Sequence, residues 1–345
     1  MDNSVKTILT LIFIVIVFVV LHFLQSIVLP LVLAFFVAAM FQPVVNLLRK
    51  WKIPMFIILP FIVAISLFVL FGIYMILQST VSDIIVDSDF LAEKFSQRTT
   101  DLFKWANSIF GSRLSFNRIY RDLVNQMDPV WIGQRTSEVF SRLTSFTTFL
   151  VMFLLYYVVF LTGLGHHKQF LEYVDNFDPN SRFTNSYEKV QKAINHYLVL
   201  KTLLCLAMGV IAYVTCLIFG VKFALFWGFL TFIVSYIPNI GAFISTIFPI
   251  IFALITIDSF NLVVLFAIIL VGTHMIIGLL IEPIIMGNNM SINTITVIFG
   301  LVFWGFMWGI PGMMLSVPLL VVIKLTFEQF PATEIFSRIM GTPKT

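Results

Sequence analysis

Apolar runs of membrane-spanning length are the feature that most constrains this chain. A helix needs about 20 predominantly apolar residues to cross the hydrocarbon of a bilayer. Only 11% of the residues are charged, whereas soluble domains contain about 25%. The sequence therefore predicts an all-α integral membrane protein, embedded in a lipid bilayer by about six full transmembrane helices. The candidate spans lie at 8–24, 27–48, 53–77, 143–164, 202–221 and 259–281.

Two further uncharged stretches, 223–257 and 295–323, are interrupted by proline and glycine. The segment SYIPNIGAF breaks the first stretch, and WGIPGMMLS breaks the second. The pieces on either side have 12 to 16 residues, too few for a helix to cross about 30 Å of hydrocarbon. We therefore expect two re-entrant hairpins that enter from opposite faces, with the interruptions at their tips. If the hairpins count as spans, the total is eight.

Polar segments divide the chain into six regions. Apolar residues recur at helical spacing in one of them, the insert 79–142, which predicts small amphipathic helices outside the membrane. Asp128 and Pro129 form a helix-start signal there, as do Asp178 and Pro179 in the next polar segment. The regions are N-terminal transmembrane helices at 1–78, the insert at 79–142, a transmembrane helix at 143–164, a helical linker at 165–201, a transport core at 202–327 and a tail at 328–345.

The short loop RKWK at 49–52 determines the predicted orientation. It carries three positive charges and no negative charge, and short loops rich in lysine and arginine remain in the cytoplasm. Counting spans from this loop places both termini and the linker 165–201 in the cytoplasm. The same count places the insert 79–142 outside.

A stripe of small residues lies along one face of the fifth span. Small residues let helix backbones approach closely, so we interpret the stripe as a packing seam, with a solute path as the alternative. Lys201, at one end of it, is interpreted as a snorkelling residue near the interface. The two cysteines would lie about 16 Å apart on a helix, too far for a disulfide. The stripe consists of Lys201, Cys205, Gly209, Ala212, Cys216 and Gly220.

The two interruptions predict a transport site. Paired hydrophobic segments broken by glycine and proline are the best sequence indication of a transporter binding site. Irregular backbone at membrane depth is tolerated where it is buried or lines a wet cavity, and a kink repaired by neighbouring helices is the alternative. The predicted substrate path consists of Ser235, Tyr236, Pro238, Asn239, Gly241, Gly309, Pro311, Gly312 and Ser316.

We expect the two tips to face each other across this path. The amide of Asn239 and the hydroxyl groups of Ser235 and Ser316 would bind a small polar, uncharged solute. The two prolines would end the half-helices. The three glycines of the path would permit positive φ angles or close backbone approach.

Cation/proton antiport is the alternative function, and it requires an ionisable group inside the bilayer. His274 lies well within the span 259–281, and it shares a face with Gly278 and Glu282 at spacings of four. A hydrogen-bonded packing histidine is the other interpretation of His274. Glu282, which precedes Pro283, is interpreted as a helix end at the inner interface.

Other function classes receive less support from the sequence. The formal charge of +4 is scattered, without a basic stripe that would bind nucleic acid. The sequence contains no HExxH, GxSxG or GxxxxGK[ST] motif. His166 and His167 are interpreted as solvated loop residues. We therefore expect no enzyme, catalytic residue, cofactor or metal site, and transport would be secondary or passive; a non-transporting oligomeric scaffold is a further alternative.

Several motifs resemble the autoinducer-2 exporter family. They are VLPLVLAFFVAAMFQPVVNLL at 28–48, YLVLKT at 197–202, GVKFALFWGFLTFIVSYIPNIG at 220–241, EPIIMG at 282–287 and LVFWGFMWGIPGMMLSVPLLVVIK at 301–324. The resemblance implies a homo-oligomer, expected to be a pentamer, in the bacterial inner membrane that exports a small quorum-sensing signal. Some relatives are instead assigned cation/proton antiport. This chain has Ser235, Tyr236 and Leu279 where many members have asparagine, phenylalanine and asparagine.

Overall fold

The computed structural model describes residues 3–87, 89–91, 93–98, 100, 147–177, 183–286, 292–330 and 333–341. These residues are almost entirely helical, and Ile292 and Gly341 form an isolated antiparallel bridge. A π-helical segment, Met275–Ile281, joins α8 to α9. The helices are α1 Asn3–Phe23, α2 Gln25–Lys50, α3 Met55–Val86, α4 Thr147–Phe177, α5 Phe183–Ile218, α6 Ala224–Val234, α7 Ile240–Thr256, α8 Phe260–His274, α9 Glu282–Met286, α10 Thr294–Gln329 and α11 Glu334–Met340.

The helices confirm an all-α, multi-pass membrane protein. Many large apolar side chains lie on the protein surface; Phe68, for example, is 77% exposed, as expected for residues that face lipid. Five segments of the described residues are long and apolar enough to cross a membrane: Gln25–Lys50, Met55–Val86, Lys189–Ile218, Phe260–Met286 and Thr294–Gln329. Shorter apolar helices are Ile8–Phe23, Thr148–Gly163, Ala224–Val234 and Ile240–Thr256.

Helices α2, α3 and α4 form an N-terminal bundle with its own core. The core contains Ala34 and Ala38 from α2, Ile62 from α3, and Tyr157 from α4. The Tyr157 hydroxyl lies 2.8 Å from the Ser66 hydroxyl, which satisfies both groups inside an apolar bundle. Because Ala34 and Ala38 are small, α2 packs closely against α4.

Helix α4 corrects one detail of the sequence interpretation. Its backbone continues through Gly163 to Phe177, so His166 and His167 belong to a helix and not to a loop. Helix α3 likewise continues past position 77 to Val86. The amphipathic helices expected in the insert beyond residue 100, with the Asp128–Pro129 signal, lie outside the described residues, as do Asp178 and Pro179.

The first interruption produces a helical hairpin, residues 224–256, which we call the first hairpin. Its half-helices are α6 and α7, joined by Ser235–Asn239. The ring centroids of Trp227 and Phe252 are 5.4 Å apart, so the start of α6 lies beside the end of α7. At the turn, Asn239 has φ 60° and ψ −52°, and the Ile240 amide donates to the carbonyl oxygen of Pro238 at 2.6 Å, which is close to the rare and strained classic γ-turn.

The second interruption also reverses the chain, within α10, and residues 294–329 form the second hairpin. Gly309 has φ 66° and ψ −146°, a conformation that essentially only glycine adopts. A Cβ on Gly300 would lie 2.5 Å from Leu320 Cδ1, whereas a straight helix would separate these residues by about 30 Å. The two halves therefore pack against each other.

Two expectations about the half-helices are wrong. The first half of the first hairpin ends at Val234, before Pro238, and Pro311 follows the Gly309 turn in the first turn of the next half-helix. Proline is tolerated there because first-turn amides have no intrahelical partner. The last half-helix also runs on past Ile323 to Gln329, longer than the 12 residues expected.

The two hairpins point in opposite directions along α5. The base of the first hairpin lies at the C-terminal end of α5, where Cys216 packs with Ala224. The base of the second lies at the N-terminal end, where Lys189 Nζ is 3.4 Å from Glu328 Oε2. Helix α5 is thus the shared support for both hairpins.

The middle of the small-residue stripe is a packing seam, whereas Gly220 lies beyond the end of α5, with φ 67° and no atom within 4 Å of a Cβ. A Cβ on Gly209 would lie 2.8 Å from the carbonyl oxygen of Gly228 on α6, so the two backbones are in direct contact. Cys205 and Cys216 are buried and unpaired. This contact fixes the first hairpin against α5.

The C-terminal tail packs against the start of the second hairpin. Asn293 donates from Nδ2 to the carbonyl oxygen of Ile339 at 2.6 Å, and its Oδ1 accepts from the Thr296 amide at 2.7 Å. One side chain therefore both caps α10 and holds the short helix α11 in place.

Candidate transport site

A cavity of about 410 Å³ lies between the tip of the first hairpin, α5, and the helix that follows the hairpin. Its lining on α5 extends from Met208 to Lys201, roughly 15 to 26 Å along the helix from Ile218 at the base of the first hairpin, at about 1.5 Å per residue. The lining residues are Lys201, Met208, Ser235, Ile237, Pro238, Asn239, Ala242, Phe243, Thr246, Val271, His274, Met275, Gly278, Leu279 and Glu282.

The broken tip contributes polar groups to this cavity. Ser235 is 7% exposed, and its Oγ is buried without a hydrogen-bond partner among the described residues. Asn239 is exposed at the tip and also lines the cavity. A buried hydroxyl without a partner costs free energy, so Ser235 is an unsatisfied polar group beside the cavity.

Tyr236 and Gly241 build the tip but do not line the cavity. The Tyr236 hydroxyl donates to Thr202 Oγ1 at 2.7 Å, which ties the tip to α5. A Cβ on Gly241 would overlap the carbonyl oxygen of Val234, so only glycine fits where α7 begins. These residues position Ser235 and Asn239.

An ion pair crosses the cavity between α5 and α9. Lys201 Nζ lies 2.6 Å from Glu282 Oε1, with side-chain exposures of 7% and 23%. The structure therefore corrects two interpretations: Lys201 does not snorkel to the interface, and Glu282 does not merely mark a helix end. The sequence analysis did not predict Lys201 as a site residue. Its position at the end of a stripe of small residues could have indicated a buried charge.

One face of α8 and of the π-helical segment 275–281 that follows it lines the cavity. A π-helix turns less per residue than an α-helix, because its hydrogen bonds join residues five apart. Residues four apart, including His274, Gly278 and Glu282, therefore stay in one row, and all three line the cavity. His274 Nε2 lies 2.7 Å from Ser245 Oγ, so the histidine is hydrogen-bonded to the first hairpin.

The second tip lies elsewhere. Gly309, Pro311, Gly312 and Ser316 do not line this cavity, and the tip instead packs on α1 and α2 through residues such as Trp308. The Ser316 hydroxyl is fully buried and donates to the carbonyl oxygen of Met313 at 2.7 Å, within its own helix. The two tips therefore do not share this cavity.

The cavity contains few groups suited to metal binding. Within the ranges that the structure describes, no set of three or more histidine, cysteine, aspartate or glutamate side chains could hold a metal ion. The charged groups of the lining are Lys201 and Glu282, with His274 as the third titratable group. The lining is thus formally neutral when the histidine is neutral.

A multi-pass helical membrane protein with two interrupted segments, one of which lines a cavity that contains polar groups, has features of a membrane transporter. The sequence comparisons agree with this class. Residues 11–332 match the sequence profile described as AI-2E family transporter, and the chain belongs to that family.

The chain is similar over most of its length to three bacterial transport proteins. It is 27% identical to the AI-2 transport protein TqsA of Escherichia coli K12, covering 95% of this chain and 93% of TqsA. It is 29% identical to the putative transport protein YhhT of the same strain, covering 89% and 86%. It is 26% identical to the putative transport protein YueF of Bacillus subtilis 168, covering 88% and 84%.

Proposed function

We propose that this protein is a secondary or passive transporter that exports a small polar solute through the cavity at the first hairpin. A signal like AI-2 is the leading candidate solute, because the chain is similar to TqsA along nearly its whole length. The observation that carries the proposal is a cavity at a broken tip that contains hydrogen-bonding and charged groups, inside helices that are otherwise apolar.

The cavity favours a small and uncharged solute. Its volume of about 410 Å³ lies near the lower end of ligand pockets, roughly 300–1,000 Å³. Lys201 and Glu282 already neutralise each other, so a charged solute would find no unpaired opposite charge there. Ser235 and Asn239 instead provide neutral hydrogen-bonding groups.

The membrane arrangement completes the proposal. Both hairpins would be re-entrant, entering from opposite faces of the bacterial inner membrane, with both termini in the cytoplasm. The protein would act as a homo-oligomer, by resemblance a pentamer. Mass measurement of the purified protein in detergent tests the oligomer, and a monomeric mass would contradict it.

Solute uptake into vesicles tests the transport function. Purified protein in liposomes should move AI-2 or a related small polar solute, and Asn239→Gly should reduce the rate about tenfold, the effect of losing about 1.4 kcal/mol of hydrogen bonding. Glycine keeps the positive φ angle of Asn239, so the variant removes the amide alone. A protein that moves none of a panel of small polar solutes, yet requires its insert for activity in cells, would indicate a scaffold instead.

Cation/proton antiport is a second candidate, favoured by the position of His274 and Glu282 in the same cavity. His274→Gln keeps a hydrogen-bonding side chain beside Ser245 but removes a group that titrates near neutral pH. An unchanged pH dependence of transport in this variant would exclude proton coupling through His274.

A further inference from the structure

We propose that Lys201 is a specificity-determining residue: its ammonium group occupies the cation position beside Glu282 and thereby excludes inorganic cations from the cavity. This inference rests on the proposed function and defines the solute class further. Glu282 is the carboxylate of the cavity lining, and its Oε1 accepts from Lys201 Nζ at 2.6 Å. The protein thus carries a covalently attached cation where a mobile cation would bind.

Without Lys201, the cavity would suit a hard cation such as sodium. Carboxylate, amide and hydroxyl oxygens are the ligands that hard cations prefer. Glu282 supplies the charge, and Asn239, Ser235 and Thr246 add neutral oxygens from the first hairpin. Glu282 lies in the membrane-length segment Phe260–Met286, where ionisable residues often mark ion pathways. The pairing with Lys201 is what distinguishes this cavity from a cation site.

Displacing the Lys201 ammonium group from Glu282 by a mobile cation is energetically unfavourable. Its side chain is only 7% exposed, and it lies on α5, which is fixed against α6 by the contact of Gly209 with Gly228. A sodium ion that displaced it would leave a buried ammonium group without its partner, and breaking a buried pair is strongly unfavourable. Solute movement should therefore be independent of sodium.

Sodium-dependent melting of the purified protein tests this role directly. Wild type, Lys201→Gln, Lys201→Arg and the double variant Lys201→Gln/Glu282→Gln would be compared in sodium chloride and in choline chloride of equal ionic strength. The series would be measured at a neutral and at an alkaline pH. Melting reports binding even in a protein that moves no solute.

Only Lys201→Gln should respond to sodium. Its melting temperature should rise by about 4 °C at a sodium concentration about 100-fold above the dissociation constant. Lys201→Arg keeps a cation in place and should show no sodium-specific shift. The double variant lacks the carboxylate and should lose the gain.

Radiolabelled sodium uptake into vesicles provides a second measurement. Wild type should take up no sodium, and its solute flux should be equal in sodium and in choline. Lys201→Met preserves the volume of the side chain, and it replaces the glutamine variant if that variant does not fold. A sodium-specific shift or sodium uptake in wild type would overturn the proposal, as would a folded Lys201→Gln or Lys201→Met protein that gains no response.

Failure of the transport function would look different. If wild type moves no solute, the proposed function fails, whereas the melting series still decides whether Lys201 excludes cations. If solute moves but depends on sodium, the transport function stands and the role of Lys201 is refuted.

Discussion

Gly241 and Gly312 occupy equivalent positions at the tips of the two hairpins. A Cβ on Gly241 would overlap the carbonyl oxygen of Val234, and a Cβ on Gly312 would overlap that of Trp304. In both hairpins, the second half-helix therefore begins in contact with the backbone at or near the end of the first. Both tips therefore require glycine at this position, although only the first tip lines the cavity.

Gly241→Ala and Gly312→Ala should each lower the stability of the protein. The overlapping atom is backbone, which cannot rotate away, so the cost should reach at least the roughly 1–3 kcal/mol of overpacking substitutions. Thermal unfolding in detergent should show a clear decrease in melting temperature for both.

Gly272→Ala is the matched control for these variants. Gly272 lies within α8, and a Cβ there would meet no atom within 4 Å. Alanine should be neutral or slightly stabilising, since glycine weakens helix interiors by about 0.5–1 kcal/mol. Equal melting temperatures for all three variants would contradict the close contacts at the tips.

Ser235→Ala and Ser316→Ala should separate binding from stability. Ser235 Oγ is buried without a partner among the described residues and lies at the cavity, so its removal should slow transport without lowering the melting temperature. Ser316 bonds within its own helix and is remote from the cavity, so its removal should leave transport unchanged. If only Ser316→Ala lost transport, the result would indicate that the solute path lies at the second tip.

Tyr236→Phe should weaken the first tip while preserving transport. The substitution removes the hydrogen bond to Thr202, which is worth about 1 kcal/mol. Thr202 retains its bond to the carbonyl oxygen of Leu198, so no buried donor is left unpaired. A modest decrease in melting temperature with a normal transport rate is expected, and an abolished rate would place Tyr236 in the solute path.

Asp258 should hold the beginning of the insert against the base of the first hairpin. Its Oδ1 accepts from Arg98 Nη2 at 2.7 Å and lies 3.3 Å from Lys94 Nζ, with the Asp258 side chain 81% exposed. Asp258→Asn should increase hydrogen exchange of residues 93–98, and high salt should do the same because exposed pairs are screened. Glu334→Gln breaks the local pair with Arg338 and should leave that exchange unchanged.

Cysteine labelling tests the predicted orientation. Ser115→Cys should react with an impermeant reagent added outside, and Ser186→Cys should react only after the membrane is opened. The native Cys205 and Cys216 are buried, so they should contribute little background. If Ser186→Cys reacts from outside and Ser115→Cys does not, the topology is the inverse of the predicted one.

The sequence by itself determined the features that depend on local backbone and composition. Apolar run lengths give the membrane helices because a helix in lipid must satisfy its own hydrogen bonds. Proline and glycine at 238–241 and 309–312 mark the chain reversals, since these residues act on their own backbone. The small residues around Gly209 indicate close packing because they let helix backbones approach each other.

Tertiary structure alone decided which of these features form the cavity. Lys201 and Glu282 are 81 positions apart, and their contact depends on how α5 packs against the π-helical segment, which no local pattern specifies. The second tip resembles the first in sequence but packs on α1 and α2. Local propensities act over a few residues of the chain. The contacts between distant side chains depend instead on how the helices pack, and therefore the cavity could be located only in the folded chain.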